Sequence, residues 1–431
     1  MKRNGWIVTF AGMGLNLALG ILYAWSMFSK QLTEAVDKGG FGWSKTQATL
    51  PYTIAIACFA VMMVPAGRLQ DRVGPRIVAT IGALLCGIGL VVASFGSPQT
   101  ILPALIGFGL LAGTGIGLGY ASATPAAVKW FPPQKKGLIT GLVVAGFGLA
   151  PVYIAPLSKH LLETYGISSS FRILGLAFIV TACIAAQFIG NPDASAADKK
   201  AKAAHASGAT DLSWREMLRN PTFYSLYIQY ACAATAGLMI IGHLAKIVAV
   251  QSGNTIQIGF LFVALLAVFN AGGRVVAGIV SDYVGRMVTL AFVFIMQALI
   301  MAFFTQFSTV TAFILGSAVV GFNYGACLSL FPATAADYWG TKNLGMNYGI
   351  LFTAWGVGGV FGPMLAGSIA DSTGSYTMAY YIASGLLIFA AFLTMLSYIG
   401  VSVDKPGRRI IISFRKKKTE DALGSLVPGR K

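Results

Sequence analysis

The stretch Gly67-Arg68-Leu69-Gln70-Asp71-Arg72-Val73-Gly74-Pro75-Arg76 recurs, degraded, as Gly278-Ile279-Val280-Ser281-Asp282-Tyr283-Val284-Gly285-Arg286, 211 residues later. Both copies keep a G-x-x-x-D-x-x-G core, and both sit in a short polar break between two long apolar segments. Two long apolar runs interrupted twice in the same way read as a duplicated membrane bundle with hinges at the breaks.

Composition supports the membrane independently. Hydrophobic residues make up 56% of the 431-residue chain and charged residues 10%, against roughly 25% charged in an ordinary soluble protein. A mean hydropathy of +0.73 leaves too little polar surface to cover a soluble core. A spanning helix needs about 20 mostly apolar residues. Twelve such segments are predicted, over residues 6–29, 46–66, 77–96, 101–128, 137–159, 171–190, 222–246, 256–280, 287–306, 310–336, 345–370 and 376–401. The first follows Lys2 and Arg3 as a signal peptide would. Its apolar run is long and no small-residue cleavage site closes it, so a retained helix is expected.

Charge placement sets the orientation. Of 31 Lys and Arg, 24 fall at the amino terminus, in every second connection and in the carboxyl tail, while six fall on the opposite side and one, Arg274, within a segment. This bias predicts both termini in the cytoplasm. It also explains the net charge of +17 without nucleic acid, for which no aromatic-interleaved basic domain is present. The expected organisation is an all-α integral membrane protein with two six-helix halves, 1–190 and 222–403. A loop over 191–221 joins them, and a basic tail over 404–431 follows. Trp214–Pro221, late in the loop, is predicted to form a short amphipathic helix at the membrane surface. Lys416-Lys417-Lys418 in the tail fits contact with lipid headgroups.

The repeat extends further. Gly137-x3-Gly141 answers Gly345-x3-Gly349, and Ala150-Pro151 answers Gly362-Pro363. Glycine here serves close helix packing, and equally helices that slide past one another. Five cysteines lie within segments and form no C-x-x-C or Cys/His cluster. No metal site, cofactor motif or phosphate-binding loop is indicated, and no nucleophile–base pair suggests an enzyme.

Chemistry is confined to the few polar residues inside apolar segments. Arg274 lies eight residues before Asp282, about 12 Å along the helix from the break. An arginine at that depth costs at least ~2.5 kcal/mol and must face a cavity or a partner. Its planar paired donors match a carboxylate, and it stays charged. No carboxylate lies near the middle of any segment, and the position one turn before the arginine is Asn270. His243 is the single histidine deep in a segment, either a hydrogen-bonded structural group or a proton acceptor. Tyr120, Asn323 and Tyr324 are candidates to orient an anion. Tyr348, Phe352 and Trp355 share one helix face at i, i+4, i+7, a pattern of bundle packing or of a ligand wall. Asn16, Tyr23 and Trp25 are weaker candidates. Asp71, Arg72, Asp282 and Arg286 in the breaks are assigned either to gating or to loop structure.

The paired G-x-x-x-D-x-x-G breaks resemble the loop signature of the major facilitator superfamily, over nearly the whole chain. Five patches sharpen this: Gly20-Ile21-Leu22-Tyr23-Ala24-Trp25-Ser26, Trp130-Phe131-Pro132, Glu216-Met217-Leu218-Arg219-x-Pro221, Gly272-Gly273-Arg274 and Asn347-Tyr348-Gly349. Together they look like the bacterial oxalate:formate antiporter family, which is related to the animal monocarboxylate transporters. The resemblance implies alternating access of two halves around a carboxylate, with Arg274 as the anion clamp. It departs at Trp355, which matches the position of a lysine that completes a dianion grip in the oxalate exchanger. One cation and an apolar wall imply a small monocarboxylate such as lactate or pyruvate. The animal transporters pair the arginine with an aspartate where this chain has Asn270, and they carry a first-helix lysine that has no match here. The expectation is a monomeric proton-coupled carrier in the inner membrane, with carboxylate exchange as the alternative.

Overall fold

In a bilayer core there is no water to satisfy backbone groups, so a long apolar run closes its hydrogen bonds within a helix. The computed structural model describes residues 4–192, 211–256 and 258–399, and among these it contains helices and no β-strand. Eleven helical stretches are long and apolar enough to cross a membrane. The longest, Pro133–Phe188, is two spans in succession, broken at Gly166 with φ 73° and ψ 179°. Twelve spans result. They are α1 Gly5–Thr33, α2 Lys45–Val73, α3 Pro75–Ala93, α4 Leu102–Val128, α5 136–165, α6 167–188, α7 Pro221–Gln251, α8 Gly259–Val284, α9 Arg286–Phe304, α10 Val310–Trp339, α11 Leu344–Thr373 and α12 Thr377–Ile399. A 3-10 turn, Gly20–Ala24, interrupts α1, and wide π turns over Leu105–Ala112 begin α4.

The polar breaks differ from the expectation. Arg68 to Val73 are residues that a helix tolerates well, and α2 continues through all of them. The chain turns only at Gly74, φ 96°, before Pro75, and at Gly285, φ 103°, before Arg286. Only glycine adopts such angles without strain. Each break is therefore a one-residue corner, and Asp71 and Asp282 lie on the last helical turns rather than in loops.

The two halves meet along two seams, α2 against α11 and α5 against α8. At matching places in the repeat, Gly67 faces the Gly345 carbonyl and Gly278 faces the Gly137 carbonyl, and a Cβ on Gly67 or Gly278 would collide with it. Both collisions lie near the end of the bundle that carries Gly74 and Gly285, here termed the basic end.

The connection between the halves is tied down where it is described. At its start, Trp130 Nε1 donates to Gly190 O at 2.7 Å. At its finish, Leu212 N donates to Trp339 O at 3.0 Å. Asn343 and Asn347 donate to Leu212 O at 3.2 and 3.0 Å. The expected short helix is present as Trp214–Arg219, with Ser213 and Glu216 closing a capping box. Residues 193–210 and the 404–431 tail with its lysine cluster lie outside the described residues.

Candidate functional site

Arg274 is completely buried on α8, facing α5 of the other half. Its Nε donates to Asn270 Oδ1 at 2.9 Å, one turn earlier on the same helix. Its Nη1 donates to the Val144 carbonyl of α5. Nη2 has no hydrogen-bond partner. Two neutral oxygens do not neutralise a buried cation, whose desolvation costs several kcal/mol. The guanidinium fits because α5 lacks a side chain there: a Cβ on Gly148 would stand 3.1 Å from Nε and 3.3 Å from Cζ.

Phe147, next to Gly148 along α5, belongs to a cluster of aromatic rings drawn from both halves. Phe59 of α2, Tyr120 of α4 and Phe147 of α5 come from one half, with Tyr120 5.4 Å from Phe59 and 5.5 Å from Phe147. Phe352 of α11 closes on them, 5.3 Å from Phe59 and 5.4 Å from Tyr120. Tyr348, Phe352 and Trp355 make one continuous face, Phe352 stacking on Trp355 at 5.0 Å and meeting Tyr348 edge-on at 5.7 Å. Trp355 Nε1 donates to the Tyr324 hydroxyl at 2.8 Å, which brings α10 into the group. Tyr230 of α7 joins Phe352 at 6.2 Å and stacks on Phe331 at 4.1 Å. The hydroxyls of Tyr348, Tyr230 and Tyr120 interact electrostatically, while neither Tyr348 nor Tyr230 closes a hydrogen bond of normal geometry. Each ring contact contributes about 0.5–1.5 kcal/mol beyond area burial. The cluster therefore holds the halves together and presents hydroxyls within an apolar box.

Of the other residues singled out from the sequence, Asn323 borders this group, sharing a small cavity with Tyr324, and the rest make their contacts outside it. Asn323 donates to Gln297 Oε1 at 3.0 Å inside the second half, where both amides line a small cavity. His243 is half-buried on α7, its Nε2 3.0 Å from Pro363 O and its Nδ1 3.5 Å from the Tyr376 hydroxyl. A carbonyl only accepts, so Nε2 carries the proton and Nδ1 remains the acceptor. Neither partner of His243 belongs to the arginine–aromatic group. Asn16 Nδ2 donates to Val143 O at 2.9 Å, next to the Val144 carbonyl. Trp25 is buried in the first half, donating to Ala48 O at 2.9 Å. The side chain of Tyr23 lies outside the described residues. Phe59, Phe147, Tyr230 and the Val144 carbonyl are absent from the sequence-derived set. A phenylalanine in an apolar segment carries no signal, and a backbone carbonyl carries none at all.

At the basic end, Asp282 Oδ1 and Oδ2 accept from Gly137 N and Leu138 N, each at 2.8 Å, across the α5/α8 seam. Two free N–H groups of a helix start and its positive dipole end favour a carboxylate there. Arg286 bonds Asp282 at 2.7 Å, Asp337 at 2.8 Å and the Ser281 hydroxyl. Lys136 bonds Asp337 at 2.9 Å from the opposite half. At the α2/α11 seam, Asp71 accepts from Met346 N at 3.0 Å and lies 3.4 Å from Lys129 Nζ. Arg72 is exposed on α2, outside this network.

This architecture, twelve spans in two related halves around a buried arginine and an aromatic box, is that of a membrane carrier. A model of the Major Facilitator Superfamily matches residues 5–309 and again 256–427, and the chain belongs to that family of transporters. It is 27% identical over 415 residues to the oxalate:formate antiporter of Oxalobacter formigenes, covering 95% of this chain and 94% of that one. It is 24% identical over 426 residues to monocarboxylate transporter 13 of Rattus norvegicus, covering 97% and 93%. Among solved structures it resembles the proton:xylose symporter XylE, with a TM-score of 0.69, 15% identity and 91% and 95% of the two chains covered. At that identity the likeness speaks to the fold.

Proposed function

We propose that the protein is a secondary transporter of small monocarboxylates, of the lactate or pyruvate kind, working by alternating access as a monomer. The observation that carries this reading is Arg274: wholly buried at the seam between the halves, bonded to neutral oxygens, and with Nη2 unpartnered. An anion is the ligand such a cation favours. Tyr120, Tyr324 and Tyr348 orient it, Asn270 fixes the guanidinium, and Phe352 with Trp355 limits its size. Asn323 supports Tyr324 from the adjacent position on α10. One cation suits one carboxylate, as does the relationship to proteins named for oxalate, formate and monocarboxylate transport.

Loading one proton with one anion keeps the reorienting cavity's charge unchanged, which avoids an electrical penalty. His243 Nδ1 is the proton acceptor in this reading. Its protonation needs only that the Tyr376 hydroxyl rotate to accept instead of donate. Lys246 and Asp371 are the charged groups that act on it electrostatically. Asp71, Asp282 and Arg286 close the basic end, with Arg72 beside them. That end faces the cytoplasm, with both termini, and the membrane is the cell's inner membrane. The halves are 1–190 and 222–403, with 191–221 as their cytoplasmic connection.

Obligate carboxylate exchange is the second reading, favoured by the bond from Arg274 to Val144, which ties the halves together until an anion takes the guanidinium. Uptake of radiolabelled L-lactate into proteoliposomes, with and without an inward proton gradient, tests both. Gradient-stimulated uptake that disappears in Arg274→Ala is the expected result. Uptake only into vesicles preloaded with a carboxylate selects exchange, and saturable uptake retained in Arg274→Ala refutes the clamp. Proton-driven uptake surviving in His243→Gln removes the histidine from the coupling.

A further inference from the structure

The guanidinium of Arg274 is shared between two kinds of partner. Asn270 lies on its own helix, so that bond says nothing about how the halves sit. Val144 belongs to α5, in the other half. A carboxylate gripped by two parallel N–H groups needs two neighbouring guanidinium nitrogens. Nη2 is without a partner, and the nitrogen beside it at the tip, Nη1, gives one of its two N–H groups to the Val144 carbonyl.

We propose that the Val144 carbonyl is a built-in competitor for the substrate carboxylate: it holds Arg274 and ties α5 to α8, and its displacement by the anion loosens that seam. This rests on the reading of Arg274 as the carboxylate anchor. Three features carry it. The displacement runs in the right direction, because a charged acceptor makes a hydrogen bond about twice as strong as a neutral one. It leaves no orphan, because Val144 lies in mid-helix and its carbonyl keeps the helix's own donor from residue 148. The geometry is also built for it, since the Cβ that Gly148 lacks would press on Nε and Cζ. Helix α5 thus brings a carbonyl up to the guanidinium, which fills the space a side chain at 148 would take. Substrate binding and release of one seam between the halves become the same event.

Spin labels at Lys135 and Tyr283, both exposed near the basic end of α5 and α8, report the separation by pulsed dipolar spectroscopy in full-length protein. Wild type without ligand should show the closed distance, and L-lactate or acetate should populate a longer one. Arg274→Met keeps the side chain's length and removes its donors. Without ligand, it should raise the open population by about tenfold or more, the factor expected from losing one hydrogen bond to a charged donor. An unliganded Arg274→Met as closed as wild type overturns the proposal, even if lactate binding is lost. Should that variant not fold, Gly148→Val decides: it keeps the charge, and its branched side chain needs the space that the guanidinium fills beside Val144. An unliganded Gly148→Val that stays closed overturns the proposal equally. If wild type ignores every carboxylate while Arg274→Met opens, the tie between the halves stands. The anchor reading, and with it the competition, then falls.

Discussion

The α5/α8 and α2/α11 seams descend from the same repeat and hold by different means. Across α5/α8, Asp282 takes two helix N–H groups and Arg274 reaches Val144, while Lys136 of α5 pairs alongside with Asp337 of α10. Across α2/α11 at the basic end, Asp71 accepts from Met346 N, with the Gly345 N–H acting on it more weakly. The rest is close backbone approach at Gly67, Gly345 and Gly349 and the Ala60 methyl against Gly356, with Phe59 on Phe352 and Trp355. One seam is directional and charged, and the other is smooth. A polar seam opens or shuts as a unit because its bonds depend on register. A glycine and aromatic seam can roll with little change in energy, which is what a fulcrum requires.

The largest test of that difference is at the two aspartates. Asp282→Ala strands two helix N–H groups and removes a partner from Arg286, and should cost about 3–5 kcal/mol of closed-state stability. Asp71→Ala removes one helix N–H bond, the bond from the Gln70 amide and a long lysine pair, and should cost about 1–3 kcal/mol. Equal effects in the spin-label assay would mean that the seams are equivalent after all. Next, Gly67→Ala drives a Cβ into the Gly345 carbonyl and should cost about 1–3 kcal/mol as overpacking. Gly272→Ala, on α8 where a Cβ would meet open space, should be neutral or stabilise by about 0.4–1 kcal/mol. Thermal unfolding in detergent separates the pair. Lys136→Met breaks the ion pair to a partly exposed Asp337, so a loss of about 1 kcal/mol or less is expected. That loss should shrink further in high salt.

The smallest effect concerns Glu216, which belongs to neither seam. Hydrogen bonds from the Ser213 hydroxyl and backbone N–H hold its carboxyl below the usual glutamate range. A lowered value in the folded state means that its contribution is complete at neutral pH and is lost as pH falls through that value. Glu216→Gln should melt slightly earlier than wild type at neutral pH and coincide with it in acid below the ordinary carboxylate range. A difference that persists in acid would show that the side chain acts through something besides its charge.

Much of this molecule was legible beforehand, for identifiable reasons. Long apolar segments and Lys/Arg asymmetry define spans because bilayer physics leaves few alternatives. Arg274 stood out because a charge in lipid is costly, and Tyr348, Phe352 and Trp355 because three aromatic residues kept helical spacing. The breaks at Gly74 and Gly285 were misplaced by several residues, since polarity was read as loop. Arg68, Gln70, Asp71 and Arg72 are comfortable in a helix, and only glycine followed by proline or arginine turns the chain. Phe59, Phe147 and Tyr230 could not be found, because an aromatic ring in an apolar span looks the same whether it faces a neighbour helix or the opposite half. The Val144 carbonyl lay beyond any reading of side chains.

Trp130 holds the start of the central connection and Trp339 holds its finish, and these tryptophans occupy matching places in the repeat. Each anchor fastens the connection to its own half, so neither bond strains when the halves rock. Halves made as separate chains, divided between those anchors, should therefore find each other in one membrane and work as a pair.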